Sequence, residues 1–144
     1  MSLQLSGLVG GLVATVAMTA LMMAMGDDSP PPTAQLWAKY VGDGPAEEYV
    51  VQGMVLHFLY GIGAGWVFGL IAAFGLLALT PLNLVNGVVN GAVYGIILTV
   101  VAAVVWMRLV LGMEPDTSTL GPFTLMHLVY GVVLGAFLGL GILV

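Results

Sequence analysis

The chain has 144 residues, of which 60% are hydrophobic and only 6% are charged, and its formal net charge is −5. About a quarter of the residues in soluble domains are charged, so this composition indicates a membrane protein. The sequence contains no cysteine, which excludes disulfides, thiolate metal sites and thiol catalysis. Two basic residues are too few for a nucleic-acid partner, which requires clustered Lys and Arg.

Four apolar runs follow one another along the chain, each long enough to cross about 30 Å of hydrocarbon. They predict transmembrane helices near residues 4–25, 50–79, 84–111 and 122–144. The first run lacks a basic leader and is longer than the apolar part of a signal peptide, so we interpret it as a retained helix. The sequence therefore predicts an all-α fold, a four-helix transmembrane bundle in one membrane domain spanning residues 1–144.

A polar loop at residues 26–48 separates the first two predicted spans. Three consecutive prolines end the first helix, and Thr33 is expected to cap a short helix that ends at Gly42. Because its apolar residues fall on one side, we expect this helix to lie in the membrane interface.

Charged residues occur only in this loop and between Arg108 and Asp116. With four spans, both segments lie on one side of the membrane and both termini on the other. Lys39 and Arg108 favour a cytoplasmic location for the charged side.

An internal duplication is the most informative pattern. The motif H-x-x-Y-G-x-x-x-G-x-x-x-G occurs at His57–Gly69 and again at His127–Gly139, and it contains both histidines of the chain. In the preceding spans, Gly7 and Gly11 match Gly87 and Gly91. The pattern predicts two copies of a helical hairpin, about 4–79 and 84–144, related by a pseudo-twofold axis along the membrane normal.

Glycines at a spacing of four let helix backbones approach closely in lipid, where association depends on van der Waals contact. The predicted packing glycines are Gly7, Gly11, Gly61, Gly65, Gly69, Gly87, Gly91, Gly131, Gly135 and Gly139. Each histidine precedes such a stripe by four residues, so His57 and His127 are expected on the packing face of their helices.

Three interpretations of the histidine pair remain open. In the first, each imidazole bonds a polar group of a neighbouring helix, with Tyr60, Tyr130, Thr15, Thr19 and Asn90 as candidate partners. In the second, His57 and His127 are the axial ligands of a b-type haem. In the third, they bind copper(I) together with Met54, Met126 and Met22, since thioethers and imidazoles suit that ion, although methionine is also a common apolar filler.

Catalytic motifs such as G-x-S-x-G, HExxH and phosphate-binding glycine loops are absent from the sequence. We therefore expect a non-enzymatic structural or accessory membrane component, with the lipid bilayer as its surroundings and a homo-oligomer or larger membrane complex as a possible assembly. A haem or copper protein is one alternative. A small channel or carrier is another, but it needs a polar path for which glycine-packed faces leave little room.

The glycine-rich opening span running into a Thr-x-x-Met step, the proline-containing loop and the twice-used histidine motif resemble the small four-helix membrane proteins of the YagU type and related families of unassigned function. The resemblance implies a cytoplasmic-membrane protein of a bacterium or archaeon, with His57 and His127 at the family's histidine positions. It also implies that both termini face the cytoplasm, which we favour over the orientation suggested by Lys39 and Arg108. It supplies no substrate.

Overall fold

A computed structural model describes residues 1–26 and 28–144. Within these ranges the regular structure is entirely helical, with a 3₁₀ turn at Ala46–Tyr49, a π-helical segment at Ala102–Val110 and five α-helices. The α-helices are α1 (Leu3–Ala24), α2 (Pro32–Tyr40), α3 (Val50–Ala73), α4 (Leu84–Val101) and α5 (Thr117–Gly139). Four helical stretches are long and apolar enough to cross a membrane, namely Leu3–Ala24, Ala46–Ala73, Leu84–Val110 and Thr117–Gly139. The predicted all-α fold with four such helices is confirmed.

The outer faces of the long helices are covered by aliphatic side chains. Val16 on α1, Val55 on α3 and Ile97 on α4 are among the many large apolar residues exposed on the surface. Water-soluble monomers rarely expose apolar patches of this extent, whereas acyl chains cover them at no cost. This surface is consistent with a multi-pass membrane protein.

Helix α3 is shorter than predicted, and its expected end near residue 79 is wrong. The helix ends at Ala73, and Gly75 follows with a φ of 68°. The amide of Leu76 then donates to the carbonyl of Ile71 at 3.0 Å. A left-handed glycine with such a bond ends a helix even where the sequence stays apolar.

Helix α5 is displaced from its predicted range of 122–144. It begins at Thr117 because the carboxylate of Asp116 accepts the amide of Thr119 at 3.0 Å and caps the first turn. Pro122 therefore lies inside the helix instead of opening it. The helix ends at Gly139. The error arose because the capping residue and the first turn are polar and lie outside the apolar run.

Helix α2 packs on the start of α3, and the predicted capping role of Thr33 is wrong. The residue that precedes the helix is Pro31, two residues before Thr33, and the helix begins at Pro32. The Thr33 hydroxyl instead donates to the carbonyl of Gly53 at 2.6 Å. Ala34 is fully buried, and a methyl group on Gly53 would lie 2.7 Å from its Cα atom. Glycine at position 53 thus allows α2 to sit directly on α3.

The other end of α2 is attached to the end of the π-helical segment. Lys39 Nζ and the Tyr40 hydroxyl both donate to the carbonyl of Val110, at 2.7 Å and 3.0 Å. Helix α2 therefore bridges α3 and the segment that follows α4 on the same end of the bundle.

The long helices pack as two antiparallel pairs, α1 with α3 and α4 with α5. In the first pair, a methyl group on Gly11 would lie 2.7 Å from the carbonyl oxygen of Gly61. In the second pair, a methyl group on Gly91 would lie 3.0 Å from the Cα atom of Gly135. Neither contact leaves room for a side chain, so glycine is required at these crossings.

Contacts between the pairs involve larger side chains. Helix α1 meets α5 where Gly10 faces Leu134. Two tyrosine hydroxyls connect the second pair to α3, because Tyr94 donates to the carbonyl of Ala64 at 2.7 Å and Tyr130 donates to that of Gly61 at 2.5 Å. The buried core lies around these two rings.

The π-helical segment at Ala102–Val110 continues α4 with wider turns. In keeping with this geometry, the amide of Leu111 donates to the carbonyl five residues earlier, that of Trp106, at 2.9 Å. Met107 in this segment is buried, with 2% of the residue exposed, whereas Trp106 borders the same internal space and is 37% exposed. Such segments occur frequently at functional sites.

Candidate functional site: a cavity between the two helix pairs

A cavity of about 660 Å³ lies between the two helix pairs, at the end of the bundle that carries α2. Residues of α1, α3, α4, the π-helical segment and α5 line it, and Pro30–Thr33 border its mouth. The glycine contacts join helices within each pair, whereas the cavity lies between the pairs. Close glycine packing within the pairs is therefore compatible with an open space between them at this end.

Both histidines line this cavity. They lie on α3 and α5, one from each helix pair. The sequence motif thus singles out two side chains that the fold brings to one internal space.

His127 has a defined tautomer. Only 7% of this residue is exposed, and its Nδ1–H donates to the carbonyl of Phe123 at 2.9 Å, since a carbonyl can only accept. In a neutral imidazole the other ring nitrogen, Nε2, then carries a lone pair. Within residues 1–26 and 28–144 no group donates to Nε2, and no fully buried side-chain nitrogen or oxygen lacks a partner, so Nε2 is not fully buried and is accessible from the cavity.

His57 makes a different contact, although its sequence position is equivalent. Its Nε2 shares a hydrogen bond of 3.2 Å with the Thr19 hydroxyl on α1. Thr19 is one of the candidate partners proposed from the sequence. The hydroxyl of Tyr130, another candidate, reaches the carbonyl of Gly61 instead, and the Asn90 side chain pairs with the backbone of Leu79.

Methionine side chains make up much of the cavity wall. Six of them line it: Met18, Met22, Met25, Met107, Met113 and Met126. Met54 lies elsewhere, in a shallow depression on the outer surface of α3 beside Val51 and Phe58. Of the predicted copper(I) donors, the fold brings together His57, His127, Met22 and Met126 and leaves Met54 apart.

Aromatic rings complete the wall. Trp106 meets Tyr60 edge-on, with ring centroids 6.2 Å apart, and Phe123 packs on the His127 ring at 4.5 Å. Sequence reasoning missed Trp106 as a site residue. A tryptophan deep in an apolar run was a signal, but the π-helical segment that contains it has no recognised sequence signature.

Charged groups are rare around the cavity. Its lining residues include no Asp, Glu, Lys or Arg in the described part of the chain. Nor do the described residues contain a cluster of three or more His, Asp or Glu that could hold a metal ion. The arrangement suits a ligand that is mostly apolar and meets a few polar atoms.

Comparison of the chain with protein-family models, with curated proteins and with solved structures gave no match. The cavity is thus the feature of this molecule that points most directly to a function.

Proposed function

We propose that the protein is a non-enzymatic integral membrane component that binds a small, largely apolar molecule in the cavity between its helix pairs. The observation that carries this proposal is an internal space of about 660 Å³ lined by methionines, aromatic rings and two imidazoles. Binding sites for small molecules typically measure about 300–1,000 Å³ and combine apolar walls with a few placed polar groups.

We also propose that the two helix pairs are copies of one unit related by a pseudo-twofold axis. Two equivalent contacts support this. A methyl group on Gly65 would lie 2.5 Å from the Cα atom of Gly11, and a methyl group on Gly135 would lie 3.0 Å from that of Gly91. These residues occupy matching positions in the two halves of the sequence. A cavity between two such copies receives one histidine from each.

In a cell, we place the protein in the cytoplasmic membrane with both termini in the cytoplasm, as the resemblance to the YagU type implies. In this arrangement the mouth of the cavity opens on the opposite side. We further propose that it acts as an accessory component, as a homo-oligomer or within a larger membrane complex. Its exposed aliphatic faces supply surface for such an assembly.

Copper(I) binding is the second candidate, supported by the state of His127. A metal-bound imidazole typically donates its other N–H to a carbonyl or carboxylate, as His127 does to Phe123. Met22 and Met126 offer soft thioether donors in the same cavity. A competition titration with a copper(I) chelator tests it: stoichiometric binding that His127→Leu abolishes supports the site, and no binding by the native protein excludes it.

A b-type haem between His57 and His127 has less support, because the Nε2 atom of His57 is engaged by Thr19. A Soret band in protein purified from haem-replete cells would revive it. A channel or carrier requires a continuous path, whereas the glycine contacts close each helix pair. A liposome flux assay tests that alternative.

The main proposal is tested by quenching of Trp106 fluorescence in a Trp37→Phe/Trp66→Phe background, with 1-bromo-3-decylbenzene as the probe. Bromine quenches tryptophan on contact, so a probe in the cavity should quench saturably. Ala102→Phe fills the cavity wall and should weaken binding at least tenfold, whereas Ala103→Phe is a matched control one residue away, outside the lining set. Quenching that does not saturate, or equal binding to both variants, would refute the proposal.

A further inference from the structure

We propose that the ligand carries a neutral O–H group, an alcohol or a phenol, on an apolar body, and that this hydroxyl donates to Nε2 of His127. The inference rests on the proposed function and names the chemistry of the molecule that the cavity takes.

The His127 ring presents an acceptor with no partner. Its Nδ1–H is committed to Phe123 at 2.9 Å, so the cavity meets the lone pair of Nε2. The residue is 93% enclosed by the protein, because 7% of it is exposed. A polar atom in apolar surroundings is costly unless a hydrogen bond satisfies it. A ligand that donates one hydrogen bond here removes this cost, and one that only accepts does not.

The surrounding charges favour a neutral ligand. No Lys or Arg lines the cavity within the described residues, so an anionic head group would find no counter-charge. No carboxylate lines it either, and the other titratable side chains that line the space with His127 are the imidazole of His57 and the phenol groups of Tyr60 and Tyr130. Among the described residues, no acidic side chain in the wall would therefore offset the charge of a cationic ligand or an imidazolium, and a hydroxyl is the simplest neutral donor.

The rest of the wall favours an apolar body. Flexible methionine side chains adapt to molecules of irregular shape, and both helix pairs contribute them to the lining, Met18 and Met22 from the first and Met107 and Met126 from the second. Leu59 borders both the cavity and the outer depression on α3. The cavity therefore comes within one side chain of the lipid-facing surface, and we expect an amphiphile to enter from the bilayer beside Leu59.

Two probes that differ in a single hydrogen-bond donor test this inference. They are 3-bromo-5-decylphenol and its methyl ether, titrated against the full-length protein with Trp106 as the only tryptophan. One neutral hydrogen bond corresponds to about a fivefold change in affinity, so the phenol should bind about fivefold more tightly than the ether. His127→Leu should remove this difference, so that the phenol and the ether bind this variant with equal affinity. His127→Gln, whose amide oxygen can occupy the Nε2 position, should retain part of it.

Each outcome separates this inference from the proposed function. Equal binding of phenol and ether to the native protein, or a preference that survives His127→Leu, overturns the hydroxyl assignment while the cavity site stands. If neither probe quenches saturably, the proposed function fails as well. Binding of the ether shows that a variant is folded. Should His127→Leu not fold, His127→Gln decides: a smaller preference for the phenol than in the native protein supports the inference, and an unchanged preference overturns it.

Discussion

His57 and His127 show how equivalent sequence positions acquire different chemistry through their immediate neighbours. His57 shares its Nε2 atom with the Thr19 hydroxyl, whereas His127 bonds its own backbone and leaves Nε2 accessible. The first ring ties α3 to α1, and the second is available to a ligand. The two histidines at equivalent motif positions therefore make different hydrogen bonds in the fold.

The Thr19–His57 bond should be measurable as a coupling energy. Thr19→Val keeps the shape of the side chain and removes the hydroxyl, and we expect it to lower the free energy of unfolding by about 0.6–1 kcal/mol, the usual value for a side-chain bond between membrane helices. A double-mutant cycle with His57→Leu, measured by denaturant unfolding in mixed micelles, isolates the bond. Additive effects of the two substitutions would show that the bond contributes nothing.

The Tyr130 hydroxyl should contribute more to the free energy of unfolding than an exposed tyrosine hydroxyl does. It is buried and donates to the Gly61 carbonyl. Tyr130→Phe removes this hydrogen bond, and we expect the free energy of unfolding to fall by about 1 kcal/mol. Tyr40→Phe is the control, because the Tyr40 hydroxyl bonds Val110 at the exposed surface. If both variants unfold alike, the connection between the helix pairs does not depend on this bond.

At the scale of elements, hydropathy predicts which segments are helical but not where each helix ends. A helix satisfies the hydrogen bonds of its backbone internally, so a long apolar run that lies in lipid is expected to be helical. The ends are set by local hydrogen bonds and backbone conformation, such as the Asp116 cap and the left-handed Gly75. An apolar window ignores polar caps and extends past glycine, which explains the errors in α3 and α5.

Close packing of α1 on α3 depends on glycine at specific positions. A methyl group on Gly65 would lie 2.5 Å from the Cα atom of Gly11, so Gly65→Ala must displace backbone, and we expect it to cost about 1–3 kcal/mol of unfolding free energy. Gly63→Ala is the matched control two residues away, where a methyl group would meet nothing within 4 Å. That variant should be neutral or stabilising, since alanine favours helix.

Denaturant unfolding of the two alanine variants in the same detergent gives the comparison. The corresponding substitution in the second pair, Gly135→Ala, should behave like Gly65→Ala if the helix pairs are equivalent units. Similar stabilities of Gly65→Ala and Gly63→Ala would mean that the α1–α3 contact is looser than described.

The first turn of α5 should depend on pH. The Ser118 hydroxyl and the Thr119 amide donate to Asp116 at 2.8 Å and 3.0 Å, and these bonds hold the pKa of Asp116 below its ordinary value. A lowered pKa means that the stabilisation is present above the unfolded-state pKa and is lost as pH falls through the folded-state pKa.

Amide hydrogen exchange measures this dependence. The protection factor of the Thr119 amide should be constant near neutral pH and fall as the solution is acidified below about pH 5. Asp116→Asn can still cap the helix but cannot titrate, so its protection should stay level over the same range. A fall of equal size in Asp116→Asn would assign the effect to another group.

At the scale of the whole molecule, the cavity is the feature that the sequence did not predict. The repeat pattern singles out His57 and His127, because the two occurrences of one sequence motif contain both histidines of the chain. The space between them depends on contacts between helix pairs and on the π-helical segment, which contributes Ala102, Trp106 and Met107 to the lining. Neither follows from hydropathy or glycine spacing, which report on neighbours within a helix or a pair.

Packing within each helix pair differs from packing between the two pairs. Within each pair, glycines bring backbones into contact and leave no internal volume. Between the pairs, Tyr94 and Tyr130 hold the bundle together by hydrogen bonds, and the larger spacing leaves a cavity at the end covered by α2. Rigid pairs around an adaptable methionine-lined space are suited to holding a ligand without large rearrangement.

The most direct test of this account is photolabelling of the protein in lipid nanodiscs with a diazirine-bearing alkylphenol, mapped by mass spectrometry with and without excess unlabelled alkylphenol. We expect competitor-protected labels on both helix pairs, on Met22 and Leu56 of the first and on Met107 and Met126 of the second, which all line the cavity. Labels on lipid-facing residues such as Val16 should be insensitive to competitor. Protected labels confined to one pair, or no protection at all, would contradict a ligand cavity shared by the two pairs.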